Sequence, residues 1–167
     1  MQRRIFVSYH HGSDWTYYDA FVRIFSDTYE ILHDRSVERP IGSEDPDYVI
    51  RRIRENYLTG SSVTIVLCGR NTWGRKYVDW EILASLNQGM ALIGVNLPSN
   101  VREGDGSYRV PGRFYDNWQN RYALWQQWRE IVNNPPSFRR HIENALKRSK
   151  SLIDNSRSKR LHNAPLE

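Results

Sequence analysis

The chain predicts an α/β fold: a parallel sheet of four to five strands with helices on both faces. Three observations predict it. Short β-branched and aromatic runs alternate with stretches of helical period. The connections between them are short, which favours parallel strands joined by right-handed crossovers. "SVTIVLC" (62–68) is apolar almost throughout, as expected of a central strand covered on both faces.

The elements follow in order. "RIFVSY" (4–9) is the first strand. In "SDWTYYDAFVRIF" the residues Trp15, Tyr18, Phe21, Val22 and Phe25 have helical spacing, with Ser13 or Asp14 as the cap. "YEILH" (29–33) is a second strand, and residues 34–44 form a loop of charges, proline and glycine. Asp45-Pro46 opens a helix whose apolar face is Val49, Ile50, Ile53 and Tyr57, stopped by Gly60. After strand 62–68 comes the loop "GRNTWGRK", then a helix closed by Gly89 with a stripe of Val78, Ile82 and Leu86. "ALIGVNL" (91–97) is the next strand. Residues 98–121 show no period and read as a long loop, and "RYALW" (121–125) reads as an edge strand. Phe138, Ile142, Leu146 and Ile153 place a last helix from about 136 into the tail.

With this order the sheet is expected to be flavodoxin-like, 2-1-3-4, with a switch point between the first and third strands. Ligands in such sheets bind at the carboxyl ends of the strands beside that point. Here those ends are "SYHHGSD" (8–14) and "CGRNTWGRKY" (68–77), and the second leads into the helix of Glu81. Glu81 lies about 100° around that helix from Ile82, on the side of Tyr77 and Ser85. It reads either as a solvated acid near a helix start or as the charge at the centre of a site.

Composition bounds the function. The chain has 167 residues, 39% hydrophobic and 13% aromatic, which suits one domain with a single core. One domain is expected over 1–146, with a basic helix end and tail over 147–167. Of the net charge of +5, +4 falls in that tail, which reads as a solvated, partly disordered end. The nearly neutral body argues against a nucleic-acid-binding fold. No run approaches a membrane span and the N-terminus lacks a signal peptide pattern, so a cytoplasmic protein is expected. The single Cys68 agrees with a reducing compartment and reads as a small buried residue.

Absent motifs exclude several chemistries. There is no GxxxxGK[ST] loop, no GxGxxG after the first strand and no GxSxG elbow. A phospho-receiver needs acids where this chain has His10-His11 and Cys68-Gly69. His10 and His11 lack a third ligand at regular spacing, so no metal site is expected.

Three segments carry a resemblance: "RRIFVSYHHGSD", "SSVTIVLCGRNTWGRKYVDWEI" and "GMALIGVNL". In order, they are similar to the TIR-like domain family of the Thoeris antiphage defence protein ThsB. Its F-x-S-[FY]-H first strand is met by Phe6, Ser8, Tyr9 and His10. Its central T-S-V-T-x-V-L-x-G strand is met by residues 62–69, and its aromatic four positions before a glutamate by Tyr77 and Glu81. The likeness covers about residues 3–97.

The resemblance implies a TIR-like fold and cleavage of NAD+ between nicotinamide and ribose. The product would be an ADP-ribose-derived signal, linear or cyclic, acting on a separate nucleotide-sensing effector. It implies Glu81 as the catalytic carboxylate. Phe6, Trp73 or Tyr77 would stack on a base. Ser8, Tyr9, His10, His11, Arg35, Asn71 and Thr72 would hold the rest of the nucleotide. NAD+ enters as substrate with no permanently bound cofactor, and self-association through TIR–TIR contacts is expected. The competing reading is a TIR-like interaction module without catalysis. A third has the basic tail bind nucleic acid or a membrane surface.

Overall fold

A computed structural model describes residues 2–34 and 45–167. The sheet has five parallel strands: β1 (Arg3–Ser8), β2 (Tyr29–Leu32), β3 (Val63–Cys68), β4 (Ala91–Asn96) and β5 (Leu124–Gln127). Their order is β2-β1-β3-β4-β5, so the predicted flavodoxin-like arrangement is present, with its switch point between β1 and β3. Ser8 is in register with Val66, and Cys68 with Asn96.

Alternation along each strand divides the core into two sides. Ile5, Val7, Ile65, Leu67, Ile93 and Val95 face α1 (His11–Phe25), α5 (Trp128–Asn133) and α6 (Pro135–Leu146). Phe6, Val66, Cys68 and Leu92 face α2 (Pro46–Ile53), α3 (Lys76–Asn87) and α4 (Gly112–Gln119). Asp45 caps α2 as expected, accepting from the Asp47 N–H at 3.2 Å. A π-helical turn, Arg54–Leu58, follows it. Gly60 and Gly89 take the positive φ that turns the chain after α2 and after α3.

Four expectations are corrected. Trp15 is 55% exposed, because the buried face of α1 continues backward from Tyr18 to Asp14, four residues earlier. The expected loop 98–121 contains α4, whose inward residues are Phe114 and two polar ones, Arg113 and Asn117, so no apolar period announces it. The last helix ends at Leu146, well short of Ile153, and a short 3-10 turn, Lys150–Leu152, follows.

The tail, expected to be solvated, is docked on the body. Arg157 pairs with Asp116 at 2.8 Å, and Lys159 with Asp47 at 2.7 Å. The Arg113 guanidinium, fully buried, holds Asp79 (2.8 Å) and Asn155 (2.9 Å). Two of the basic tail residues, Arg157 and Lys159, therefore pair with acids of the domain while remaining exposed. The docked tail covers the outer side of α3, which is why Val78 to Leu86 are all buried although the sequence shows a single apolar stripe.

Gly94 tests how closely α4 and β5 are packed on β4. A Cβ there would lie 2.4 Å from Phe114 Cζ and 2.9 Å from Trp125 Cε3. Gly94→Ala is expected to cost about 1–3 kcal/mol of stability by urea denaturation. A loss below about 0.5 kcal/mol would show that α4 is free to shift.

Candidate active site

The first turns of α3 approach the carboxyl ends of β1 and β3. Two buried polar seams fix this helix to the sheet. Ser85 Oγ donates to the Glu81 carbonyl at 2.7 Å and lies 2.6 Å from Thr64 Oγ1, so the threonine hydroxyl is the donor in the second bond. One turn earlier, Ser8 Oγ donates to Glu81 Oε1 at 2.7 Å. This places the carboxyl at the end of β1, beside the switch point.

Glu81 is 2% exposed, which removes the reading of a solvated acid. Burial pushes its carboxyl well above the usual range, and the neighbouring Asp34 adds to the rise, while the Ser8 hydroxyl opposes it. Asp34 follows β2 and is itself fully buried. Burial beside a second acid makes the Glu81 carboxylate costly, so its carboxyl holds a proton more firmly than it would in water. An arriving positive charge would oppose that preference.

The strand ends divide the other candidates. Ser8 lies at the site, against Glu81. His10 Nδ1 is 2.7 Å from Ser13 Oγ, and burial, then Arg75 and His11, push the ring below its ordinary value. Tyr9 and His11 belong to a different cluster on the α1 side. His11 stacks on Tyr9 (4.2 Å), Tyr9 on Tyr18 (4.7 Å), and His33 Nδ1 meets Tyr18 Oη at 2.6 Å. These rings form one packed column at the sheet end.

Phe6 is corrected as a base-stacking residue: it is fully buried among Val49, Ile53, Leu58 and Trp80 and offers no open face. Thr72 closes the turn after β3, its hydroxyl accepting from the Gly69 N–H (2.9 Å) and donating to the Leu67 carbonyl (3.2 Å). Asn71 exchanges two hydrogen bonds with the Glu167 backbone. Trp73 is half-buried under Arg160, whose guanidinium carbon is 5.5 Å from the ring centre. It also lines a cavity of about 460 Å³ with Tyr108, Arg109 and Tyr115. Asn71, Thr72 and Trp73 are therefore engaged by the turn and the tail. Tyr77, half-buried on α3 four residues before Glu81, has its ring 5.2 Å from Trp80. Arg35 lies outside the described residues.

Two residues that the sequence reading passed over belong beside Glu81 and His10. Asp34 follows the carboxyl end of β2, at the ligand-binding edge of the sheet, a position that could have flagged it. Arg75, in the loop before α3, acts electrostatically on His10 and donates to the Asn71 and Ala164 carbonyls. Cys68 is fully buried, and burial and Asp14 push its thiol up, which removes it as a nucleophile.

The raised carboxyl has a consequence for stability. In the unfolded chain Glu81 ionises near about pH 4.3, in the folded protein only at higher pH. Between those values the native state binds more protons, so stability falls as pH rises. Wild type should lose stability relative to Glu81→Gln as pH rises above about 4, read by urea denaturation. Parallel profiles for the two proteins would mean the carboxyl ionises normally.

Comparison with known proteins agrees with this geometry. The family described as "Thoeris protein ThsB, TIR-like domain" matches residues 6–102, which hold β1 to β4, Ser8 and Glu81. A Bacillus cereus (strain MSX-D12) protein, "Putative cyclic ADP-D-ribose synthase ThsB1", is 35% identical over 51 residues. That match spans 30% of this chain and 27% of the relative. Among the described residues no helix is long and apolar enough to cross a membrane. By its fold, its strand-end motifs and the family match over more than half its length, the chain belongs to the ThsB TIR-like domain family.

Proposed function

We propose that this chain is an NAD+-cleaving TIR-like enzyme with Glu81 as its catalytic carboxylate. Its product is an ADP-ribose-derived nucleotide, linear or cyclic, that acts on a separate effector in antiphage defence. The observation that carries the reading is the buried Glu81 carboxyl, held by Ser8 at the switch point of the sheet. The name of the Bacillus cereus relative, "Putative cyclic ADP-D-ribose synthase ThsB1", points the same way.

The chemistry suits such a group. The bond between ribose C1′ and the nicotinamide nitrogen breaks, its electron pair leaves with the ring, and nicotinamide departs neutral. Positive charge moves to the ribose as an oxocarbenium. Water captures it to give ADP-ribose and a proton. Alternatively a nucleophilic atom of the same nucleotide captures it to give a cyclic product and a proton.

A fixed carboxylate about 4 Å from the ribose, at an effective dielectric of about 20, interacts with that charge by about 4 kcal/mol. If this is gained mainly in the transition state, it is roughly a thousandfold in rate. The cationic nicotinamide itself favours ionised Glu81 and so opposes the effect of burial and Asp34. Arg75 and His10 supply polar groups for the pyrophosphate, and Tyr77, on the same side of α3 as Glu81, offers a ring for stacking.

The test is NAD+ turnover with mass spectrometry of the products, on purified protein and on lysates of phage-infected cells expressing it. Wild type is expected to consume NAD+ in at least one setting, and Glu81→Ala to lose about a thousandfold. Equal NAD+ levels for both proteins in every setting would overturn the enzyme reading and leave a non-catalytic interaction module.

A further inference from the structure

The helix that carries Glu81 does not cap itself. Arg75 stands at its N-cap position with no side-chain bond to the helix. The free N–H of Lys76 is instead taken by the side chain of Asn163, whose Oδ1 accepts it at 2.8 Å. Asn163 lies 87 residues away, in the segment 154–167 that runs along the outside of α3.

The contact is one of a series along the same turns. The Ala164 N–H donates to the Gly74 carbonyl at 2.9 Å, and Arg75 donates to the Ala164 carbonyl. The Arg160 N–H donates to Asp79 Oδ2 at 2.8 Å, and Trp80 Nε1 donates to the Arg160 carbonyl at 2.9 Å. Asp79 is also held by the buried Arg113, which reaches Asn155 and the Ser158 carbonyl of the same segment. Asn155 then donates to the Leu83 carbonyl at 3.1 Å. The turns of α3 on either side of Glu81 are thus bonded from outside, residue after residue.

We propose that segment 154–167 is a positioning strap for Glu81. It caps and pins the start of α3, so that the carboxyl stays in register with Ser8 and Asp34 and shielded from water. Asn163 is its key residue: the helix dipole and the unpaired N–H groups of the first turn favour an oxygen acceptor there, and the strap supplies it. The segment lies outside the matched residues 6–102. Its effect on turnover rests on the proposed catalysis. Its effect on the carboxyl does not.

Two substitutions loosen the strap without touching Glu81. Asn163 is exposed, so Asn163→Ala opens no cavity. At Gly74 an added Cβ would lie 2.5 Å from the Ala164 Cβ, so Gly74→Val pushes the strap away. Asn163→Asp keeps an acceptor oxygen and serves as the conservative rescue.

The experiment follows the Glu81 carboxyl by carbon NMR in full-length protein, assigned by its loss in Glu81→Gln, alongside kcat and KM for NAD+. The structure predicts that Asn163→Ala and Gly74→Val shift the titration down toward the ordinary glutamate range, as water reaches the loosened helix, while Asn163→Asp leaves it in place. It also predicts a fall in kcat of about ten- to a hundredfold in the two loosened variants, with KM within about twofold. A titration identical to wild type in both would overturn the strap, even if both variants unfolded more easily. Absence of NAD+ turnover in wild type would overturn the enzyme reading and leave the titration to decide the strap.

Discussion

The hydrogen bond from Ser8 to Glu81, 2.7 Å long and closed off from solvent, is the constraint around which the rest is arranged. A carboxyl in that position is costly in the empty protein, since burial and Asp34 both resist its charge. It persists because α3 is held to the sheet by the Thr64–Ser85 contact and from outside by segment 154–167. The cost is of the kind found where a group is kept ready for a ligand that supplies the missing charge.

The same constraint explains the burial of α3. A helix lying only on a sheet would show one apolar stripe and a wet outer face. Here the outer face carries Asp79 and Trp80, and both are buried because Arg113 and the Arg160 backbone cover them. Removing a single partner of the Asp79–Arg113 pair would leave an uncompensated buried charge, so the tail and α4 act as one unit with α3. Part of the tail's basic charge, on Arg157 and Lys159, is paired with acids of the domain body.

The strands were legible because their signals are local. The β-branched run of β3, the Asp45-Pro46 cap and the glycine stops at Gly60 and Gly89 all report structure set within a few residues. The position of Glu81 beside the switch point was legible through its place after the central strand. What could not be read was held by long-range polar contacts. α4 is anchored by Arg113 and Asn117 through partners some forty residues away, and no period marks it. Asp34 and Arg75 gain meaning only from what stands opposite them. Tyr9 sits on the α1 side of the sheet, where its ring stacks with those of His11 and Tyr18, a packing that the sequence does not show.

The central proposal is that burial beside Asp34 makes the Glu81 carboxyl hold its proton more firmly in the empty site, and that a bound cationic nicotinamide makes that proton easier to release. Calorimetry of carba-NAD+ binding, in two buffers of different ionisation enthalpy near neutral pH, measures that proton directly. This carbocyclic analogue keeps the charged ring and resists cleavage. The account predicts net proton release with wild type that is absent in Glu81→Gln and absent when uncharged NADH is bound. Equal proton exchange for wild type and Glu81→Gln would contradict it, because the carboxyl would then be charged before the substrate reached it.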